Sequence, residues 1–255
     1  MSAPAGEPAG GDRTVRELAW PCTGPAVLDL RLDTGRVRID LAPARGFESE
    51  EAAPDATGPG GAGTRAGERP TGDRPAGPGE VRVRIEADPG AAPAWVAGLV
   101  GLLSWLDGSA GADPEARAAD AVAATTVDWD AGRLHVVSPR DRALRGVPLA
   151  VTVTAPDGSS VRARSGAASV EVTGRADEVA VTGTGAVRLE ETTGRTDLRC
   201  GAGEVVVGRT SGRLTVAGGA GGITIERLLG PGEITTGAGR VRLGEVEADT
   251  AVRAA

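Results

Sequence analysis

An 18-residue repeat dominates the chain from about residue 161 onward. Three sets of glycines keep this interval: Gly183, Gly201, Gly219 and Gly237; Gly185, Gly203, Gly221 and Gly239; and Gly194, Gly212 and Gly230. Three aliphatic sets keep it too: Val187, Val205, Ile223 and Val241; Leu189, Val207, Ile225 and Leu243; and Leu198, Val216, Ile234 and Val252. Sets that share one period indicate stacked units, each of which buries its apolar face against the next.

The residues within each repeat predict the shape of the unit. In Val187-Arg188-Leu189 the aliphatic residues flank a polar one, so a β-strand points both of them inward. Glycines at fixed places between strands suit corners where the backbone needs a positive φ. We therefore expect an all-β fold, a single-stranded β-solenoid with 18-residue coils of two or three short strands. Neighbouring coils would lie about 4.8 Å apart.

A set of charged residues predicts the stacking register. Glu191, Arg209, Arg227 and Glu245 also keep the 18-residue interval, so we expect ion pairs between the first two and between the last two. Exposed pairs contribute about 0–1 kcal/mol each, so they indicate the register and stabilise the fold little.

The rest of the chain divides at changes in composition. We predict a disordered tail over residues 1–14, a β-rich N-terminal part over 15–155 and the regular repeats over 156–255. Residues 46–78 are rich in Gly, Pro and acids with almost no apolar content, which predicts a flexible insertion within the N-terminal part.

The N-terminal part repeats short phrases of the regular coils. The segment 35–39 (GRVRI) matches 239–243 (GRVRL), and 79–81 (GEV) matches 203–205 (GEV). We interpret the N-terminal part as degenerate coils, or a cap, on the same stack.

Two short helices are expected in the N-terminal part, near 94–106 and 114–124. Asp113 is the expected cap of the second helix, and Pro114 lies in its first turn. The apolar stretch 91–106 is too short and too interrupted by Gly to span a membrane, so we expect it to pack on the sheet. An interfacial or partner-binding anchor is the alternative for this stretch.

Composition excludes several chemistries. All 28 basic residues are Arg, so a Schiff base or a Walker-type phosphate loop, which needs Lys, is impossible. The net charge is −7 with both signs interspersed, which gives no basic stripe for nucleic acid. Cys22 and Cys200 are isolated and His135 is the only His, so we expect no disulfide, no metal site and no cofactor. His135 itself is expected to face outward from a strand.

An enzyme of the parallel β-helix type is the main alternative to a binding module. Such polysaccharide lyases and hydrolases need carboxylates and Arg grouped on one face. Glu190, Glu204, Glu226 and Arg240 occupy outward positions of the repeats and are the candidates. Because a solvated polar face gives the same pattern, we assign no catalytic residue.

Several phrases resemble a known family. GPAVLDLRLDTGRVRIDL, VPLAVTVTAPDGSSVRARSGAASVEVTG and TGAGRVRLGEV are similar to the β-strand repeats of bacterial putative adhesins that carry a domain of unknown function. The resemblance covers most of the chain outside 46–78. It implies a β-solenoid with no established enzymatic activity.

These features together predict a non-catalytic structural or binding module. Val252, near the end of the repeats, still belongs to an aliphatic set. A coil left uncovered there would offer unpaired strand edges, so we expect self-association, or a protein partner, at that end. No signal peptide and no membrane span are visible, so a cytoplasmic location is expected.

Overall fold

A computed structural model describes residues 14–42, 79–88 and 114–254 of the protein. These residues form two nine-stranded sheets and one helix, α1 (Pro114–Ala124). Sheet A contains, in spatial order, β1 (Val15–Pro21), β4 (Glu80–Ala87), β7 (Leu149–Pro156), β3 (Gly35–Ala42), β9 (Ser169–Ala176), β11 (Val187–Thr192), β13 (Val205–Thr210), β15 (Ile223–Leu228) and β17 (Val241–Val246). Sheet B contains β5 (Thr126–Asp130), β6 (Arg133–Val137), β2 (Val27–Leu32), β8 (Ser160–Ser165), β10 (Val179–Gly183), β12 (Thr196–Cys200), β14 (Leu214–Gly218), β16 (Gly232–Thr236) and β18 (Thr250–Ala254). The predicted all-β class is confirmed.

From β7 onward, each strand lies in the sheet opposite to that of the strand before it. Within each sheet the strands of the repeats are parallel. Val187 lies beside Val205 in sheet A, and Thr196 lies beside Leu214 in sheet B. The predicted aliphatic sets therefore lie side by side, and their side chains are buried between the sheets up to the last strands.

The predicted charged set also lies in register. Arg209 Nε is 3.9 Å from a carboxylate oxygen of Glu191, and Arg227 Nε is 3.3 Å from one of Glu245. Both predicted ion pairs are therefore present on the surface of sheet A.

The first step of the repeat departs from the predicted interval. In β10, Val179 lies beside Thr196 and Gly183 beside Cys200, so Gly183 does not pair with Gly201. The corner from β10 to β11 spans residues 184–186, whereas the next corner in this position spans 201–204. Gly201 is the added residue of that longer corner, and the 18-residue interval holds from there on.

The predicted reason for the corner glycines is wrong. Among the described glycines, positive φ angles occur only at Gly35, Gly79, Gly132, Gly158 and Gly174, and none of these belongs to the repeated sets. Close stacking explains those sets instead. A Cβ atom at Gly212 would lie 2.0 Å from the carbonyl oxygen of Gly194, and one at Gly221 would lie 1.9 Å from that of Gly203. A side chain at either corner would force neighbouring corners apart.

The N-terminal strands belong to the same two sheets. β2 lies between β6 and β8, and β3 lies between β7 and β9, all as parallel neighbours. Strand β4, which contains most of the phrase at 79–81, instead runs antiparallel to β7. The sequence phrases thus indicated the right sheet for both segments but neither their order nor the reversed direction of β4.

Antiparallel strands and the helix close one end of the two sheets. β1 runs antiparallel to β4 at the edge of sheet A, and β5 runs antiparallel to β6 at the edge of sheet B. Trp20 of β1 and Trp129 of β5 stack with their ring centroids 6.2 Å apart, which joins the two edges. Helix α1 contacts β1 and β4 and buries Ala121 and Val122. We call this set of elements the capped end.

Side-chain hydrogen bonds hold the helix in place. The Thr125 hydroxyl donates to the Ala121 carbonyl oxygen at 2.8 Å, and Arg16 Nη1 donates to the Thr125 carbonyl oxygen at 2.8 Å. The helix expected near 114–124 is therefore present. The predicted helix near 94–106, the insertion 46–78, Asp113 and residues 1–13 lie outside the described residues. None of the described helical residues forms a segment long and apolar enough to cross a membrane.

Candidate functional site: the open end

The last strand of each sheet forms the end opposite the cap, and we call β17 and β18 together the open end. β17 pairs with β15, and β18 pairs with β16. Within the described part of the chain, no strand pairs with the other side of either one. About half of the backbone N–H and C=O groups of an edge strand point away from its partner, so the open end presents two rows of unused donors and acceptors.

Inward-facing valines of the open end are exposed. Val246 is 39% exposed and Val252 is 47% exposed, and they are the two large hydrophobic residues with high exposure among the described residues. The residues beside them, Leu228 and Ile234, are each 0% exposed. The exposure follows from position, because the same inward-facing site is covered one strand earlier. Covering each valine would stabilise an interface by about 1 kcal/mol.

Charges along β17 and the corner after it are unevenly distributed. Arg240 and Arg242 lie in the first half of the segment 240–247, and Glu245 and Glu247 lie in the second half. All four side chains are exposed. In an antiparallel pair of two such segments, the basic half of one lies opposite the acidic half of the other, so this edge is complementary to itself.

Sequence reasoning identified only part of this surface. It singled out Val252, because Val252 completes an aliphatic set. It missed Val246, because the residues beside it in register include Thr192, Thr210 and Leu228, a mixture without a common character. The charge asymmetry of 240–247 is visible in the letters RVRLGEVE, but its meaning depends on β17 lying at an edge.

The candidate carboxylates lie apart on the outer face of sheet A. Glu190 in β11 and Glu226 in β15 share one row, but β13 lies between them and contributes Gly208 there. The Glu190 carboxylate accepts a hydrogen bond from the Gly174 N–H at 2.8 Å, so it points toward β9 and away from Glu226.

Glu204 and Arg240 precede β13 and β17, at the other end of these strands. Glu204 borders a shallow depression of about 140 Å³ together with Arg36, Glu171 and Arg188. Its lining combines two acids with two bases, a composition that also occurs on ordinary strand surfaces of this protein.

The remaining candidates for polar chemistry are dispersed. His135 lies on the outer face of sheet B with Nδ1 3.8 Å from Asp29. Cys22 and Cys200 are buried free thiols. In residues 14–42, 79–88 and 114–254, no three His, Cys, Asp or Glu side chains come together in a way that could hold a metal ion.

The chain matches no protein-family model and no curated protein.

Proposed function

We propose that this chain is a non-catalytic β-solenoid scaffold that binds a second copy of itself through the open end. The exposure of Val246 and Val252 at positions that are fully buried one strand earlier is the observation that carries the proposal.

The strand register supports the solenoid interpretation. From β11 to β18 a six-residue strand of sheet A, a three-residue corner, a five-residue strand of sheet B and a four-residue corner alternate, as the bounds of the strands imply. Each strand then pairs in parallel with the equivalent strand of the next repeat. A coil of this kind can bury its inward side chains only against another coil.

A second copy is the partner that fits the open end best. The open end has one edge strand in each sheet, and the distance between the two edges is the distance between sheets A and B. A second copy presents two edge strands of the same lengths at the same distance. Rotation by 180° about an axis normal to the sheets brings β17 antiparallel to its equivalent and β18 antiparallel to its equivalent. In that arrangement Arg240 and Arg242 face Glu247 and Glu245 of the other copy.

The capped end limits the assembly to a closed dimer. Its edges are antiparallel strands, and α1 contacts both strands at the sheet A edge. An open end therefore finds no matching parallel edge on the capped end, which disfavours head-to-tail filaments. Contact between two open ends uses the same surface twice and closes with twofold symmetry.

The oligomeric state tests the proposal. We expect light scattering and sedimentation velocity to show a dimer whose population rises with protein concentration. Val252→Arg should weaken the dimer by about 100-fold or more, because two valine contacts are lost and two like charges meet. Ala217→Arg is the matched control, since Ala217 is exposed on the outer face of β14, two strands away from the open end, and it should leave the dimer intact.

Circular dichroism of both variants checks that the fold is retained. A strict monomer at the highest attainable concentration would contradict the proposal. Equal dissociation of Val252→Arg and Ala217→Arg would contradict the assigned surface, and an open series of larger polymers would contradict the closed twofold arrangement.

A further inference from the structure

The outer face of sheet B carries an arginine patch, formed by Arg31, Arg162, Arg164 and Arg199. Arg31 of β2 lies directly beside Arg164 of β8 in register. Arg164 lies beside Thr182 of β10, and Thr182 lies beside Arg199 of β12. Arg162 projects from the same face of β8, two residues before Arg164. Within these strands the row through Arg31, Arg164 and Arg199 contains no acid.

The patch departs from a pattern that recurs elsewhere in this protein. Several outward arginines have an acid two residues away on the same strand or just before it, and the N···O distances are 3.0 Å for Arg38–Asp40, 3.2 Å for Arg82–Glu80, 3.0 Å for Arg84–Glu86 and 2.6 Å for Arg195–Asp197. On β8 the residue two positions before Arg164 is another arginine. Arg162, Arg164 and Arg199 are exposed and make no ion pair with the residues that the structure describes.

The nearest acids are Asp29 and Asp197, and each of them pairs with an arginine. Asp29 lies beside Arg162 in register, but its carboxylate is 3.7 Å from Arg31 and 3.8 Å from His135. Asp197, two residues before Arg199, binds Arg195, and this hydrogen bond raises the pKa of Arg195. Like charges directly opposite each other, as at Arg31 and Arg164, destabilise a sheet. Of these two arginines, Arg31 has an ion pair with Asp29, and Arg164 has none with the described residues.

Small side chains lie between the arginines of the patch, and we call the strip of surface above them the trough. The outward residues of β10 are Ala180 and Thr182, both small and exposed. They separate Arg162 and Arg164 on one side from Arg199 on the other by two strand spacings, about 9–10 Å. Beside Thr182 the trough is flanked by Arg164 and Arg199, whereas beside Ala180 it is flanked by Arg162 on one side and Asp197 on the other.

We infer that the arginine patch binds a linear acidic polysaccharide through its carboxylate or sulfate groups. Guanidinium groups form paired, charge-assisted hydrogen bonds with planar or tetrahedral oxyanions. Groups spaced along an extended chain can reach Arg164 and Arg199 from the trough at the same time.

Other polyanions fit this surface less well. Single-stranded nucleic acid needs large aromatic side chains on which bases stack, and the described residues of this outer face include no Phe, Trp or Tyr. Duplex nucleic acid needs a long basic surface, whereas the chain carries a net charge of −7 and the patch is confined to four arginines. An acidic polysaccharide, with its more widely spaced charges, needs only a few such contacts.

Titration calorimetry with the full-length protein tests the inference. The probes are oligogalacturonate, which carries carboxylates, and a heparin-derived oligosaccharide, which carries sulfates as well. We expect saturable binding of at least one of them, with the preferred probe identifying the oxyanion, and weaker binding as salt is raised. Arg164→Gln and Arg199→Gln should each weaken binding about fivefold.

Arg188→Gln provides the matched control. Arg188 is an exposed arginine on the outer face of β11 in sheet A, and it has no ion pair with the described residues. Its substitution removes the same charge and should change binding less than twofold, a threshold set by the error of about a few tenths of a kcal/mol in such comparisons.

Three results would overturn the inference. They are no binding of either oligosaccharide, equal loss of binding in Arg164→Gln and Arg188→Gln, and tighter binding of a single-stranded oligonucleotide of equal charge. The dimer proposal would survive each of them, because the patch lies on the face of sheet B and not at the open end.

Discussion

The two ends of the molecule differ in how the edge strands of the sheets are arranged. At the capped end the strand direction reverses in both sheets, Trp20 stacks on Trp129, and α1 packs against β1 and β4. At the open end the parallel register continues to the last strand, and Val246 and Val252 remain exposed. Reversal of strand direction therefore accompanies the capped end, whereas β17 and β18 each keep one side unpaired among the described residues.

Edge chemistry differs between the ends as well. The outer positions of β5 are Asp128 and Asp130, and β1 ends at Pro21, which cannot donate a backbone hydrogen bond. Charges and proline are common means of blocking an edge strand. β17 and β18 contain no proline, and the charges of β17 complement each other in a twofold pair.

Removal of the tryptophan stack should cause the largest loss of stability, because it removes the contact that joins β1 and β5 at the capped end. Trp20 is buried, and Trp20→Ala should lower the free energy of unfolding by about 3–5 kcal/mol. Urea denaturation followed by circular dichroism measures the loss, and Val246→Ala at the open end is the comparison. A loss at Trp20 no larger than that at Val246 would mean that the stack does not anchor the capped end.

A single row of inward-facing residues should show how stability falls toward the open end. Leu228 and Val246 lie beside each other, the first fully buried and the second exposed. Leu228→Ala should cost about 2–4 kcal/mol, because it leaves a cavity in a packed core. Val246→Ala should cost less than about 1 kcal/mol at protein concentrations where the chain is monomeric.

The measurement for this pair is denaturation at low and high protein concentration. We expect the cost of Val246→Ala to grow with concentration and that of Leu228→Ala to stay constant. If Val246→Ala shows no dependence on concentration, the exposed valine is not part of an interface.

Much of the structure from β11 to β18 could be predicted from the sequence, because glycine, aliphatic and charged residues all recur there at the same interval. Val187, Val205 and Ile223 keep inward positions, and the strand interior tolerates only aliphatic residues there. Most corner glycines were located correctly, except Gly183, which lies in β10 beside Cys200, and the predicted cause was wrong. A side chain at Gly212 is excluded because its Cβ would lie 2.0 Å from the Gly194 carbonyl oxygen in the neighbouring corner. The expectation of a positive φ considered only the backbone of the glycine itself and not this contact.

The order of the N-terminal strands could not be predicted in the same way. The sequence at 35–39 matches that at 239–243 in the repeats, yet β3 lies between β7 and β9, strands that follow it by more than a hundred residues. A short sequence pattern determines which face of a strand is buried, but it does not determine which strands pair with it. The open end was predictable only through Val252, since exposure depends on what lies beyond a strand.

Charge reversal at the open end should give the smallest of these effects, a modest weakening of the association between two copies. In the proposed dimer Arg240 of one copy faces Glu247 of the other, so Arg240→Glu should weaken association by about three- to fivefold, the range of an exposed ion pair. Adding Glu247→Arg to the same chain restores opposite charges across the twofold axis and should recover the original affinity. Sedimentation velocity at low salt measures both steps, and high salt should reduce the difference. If the double variant associates no better than Arg240→Glu alone, the edges do not meet in the antiparallel arrangement, and the self-complementary charge pattern of β17 would need another partner to explain it.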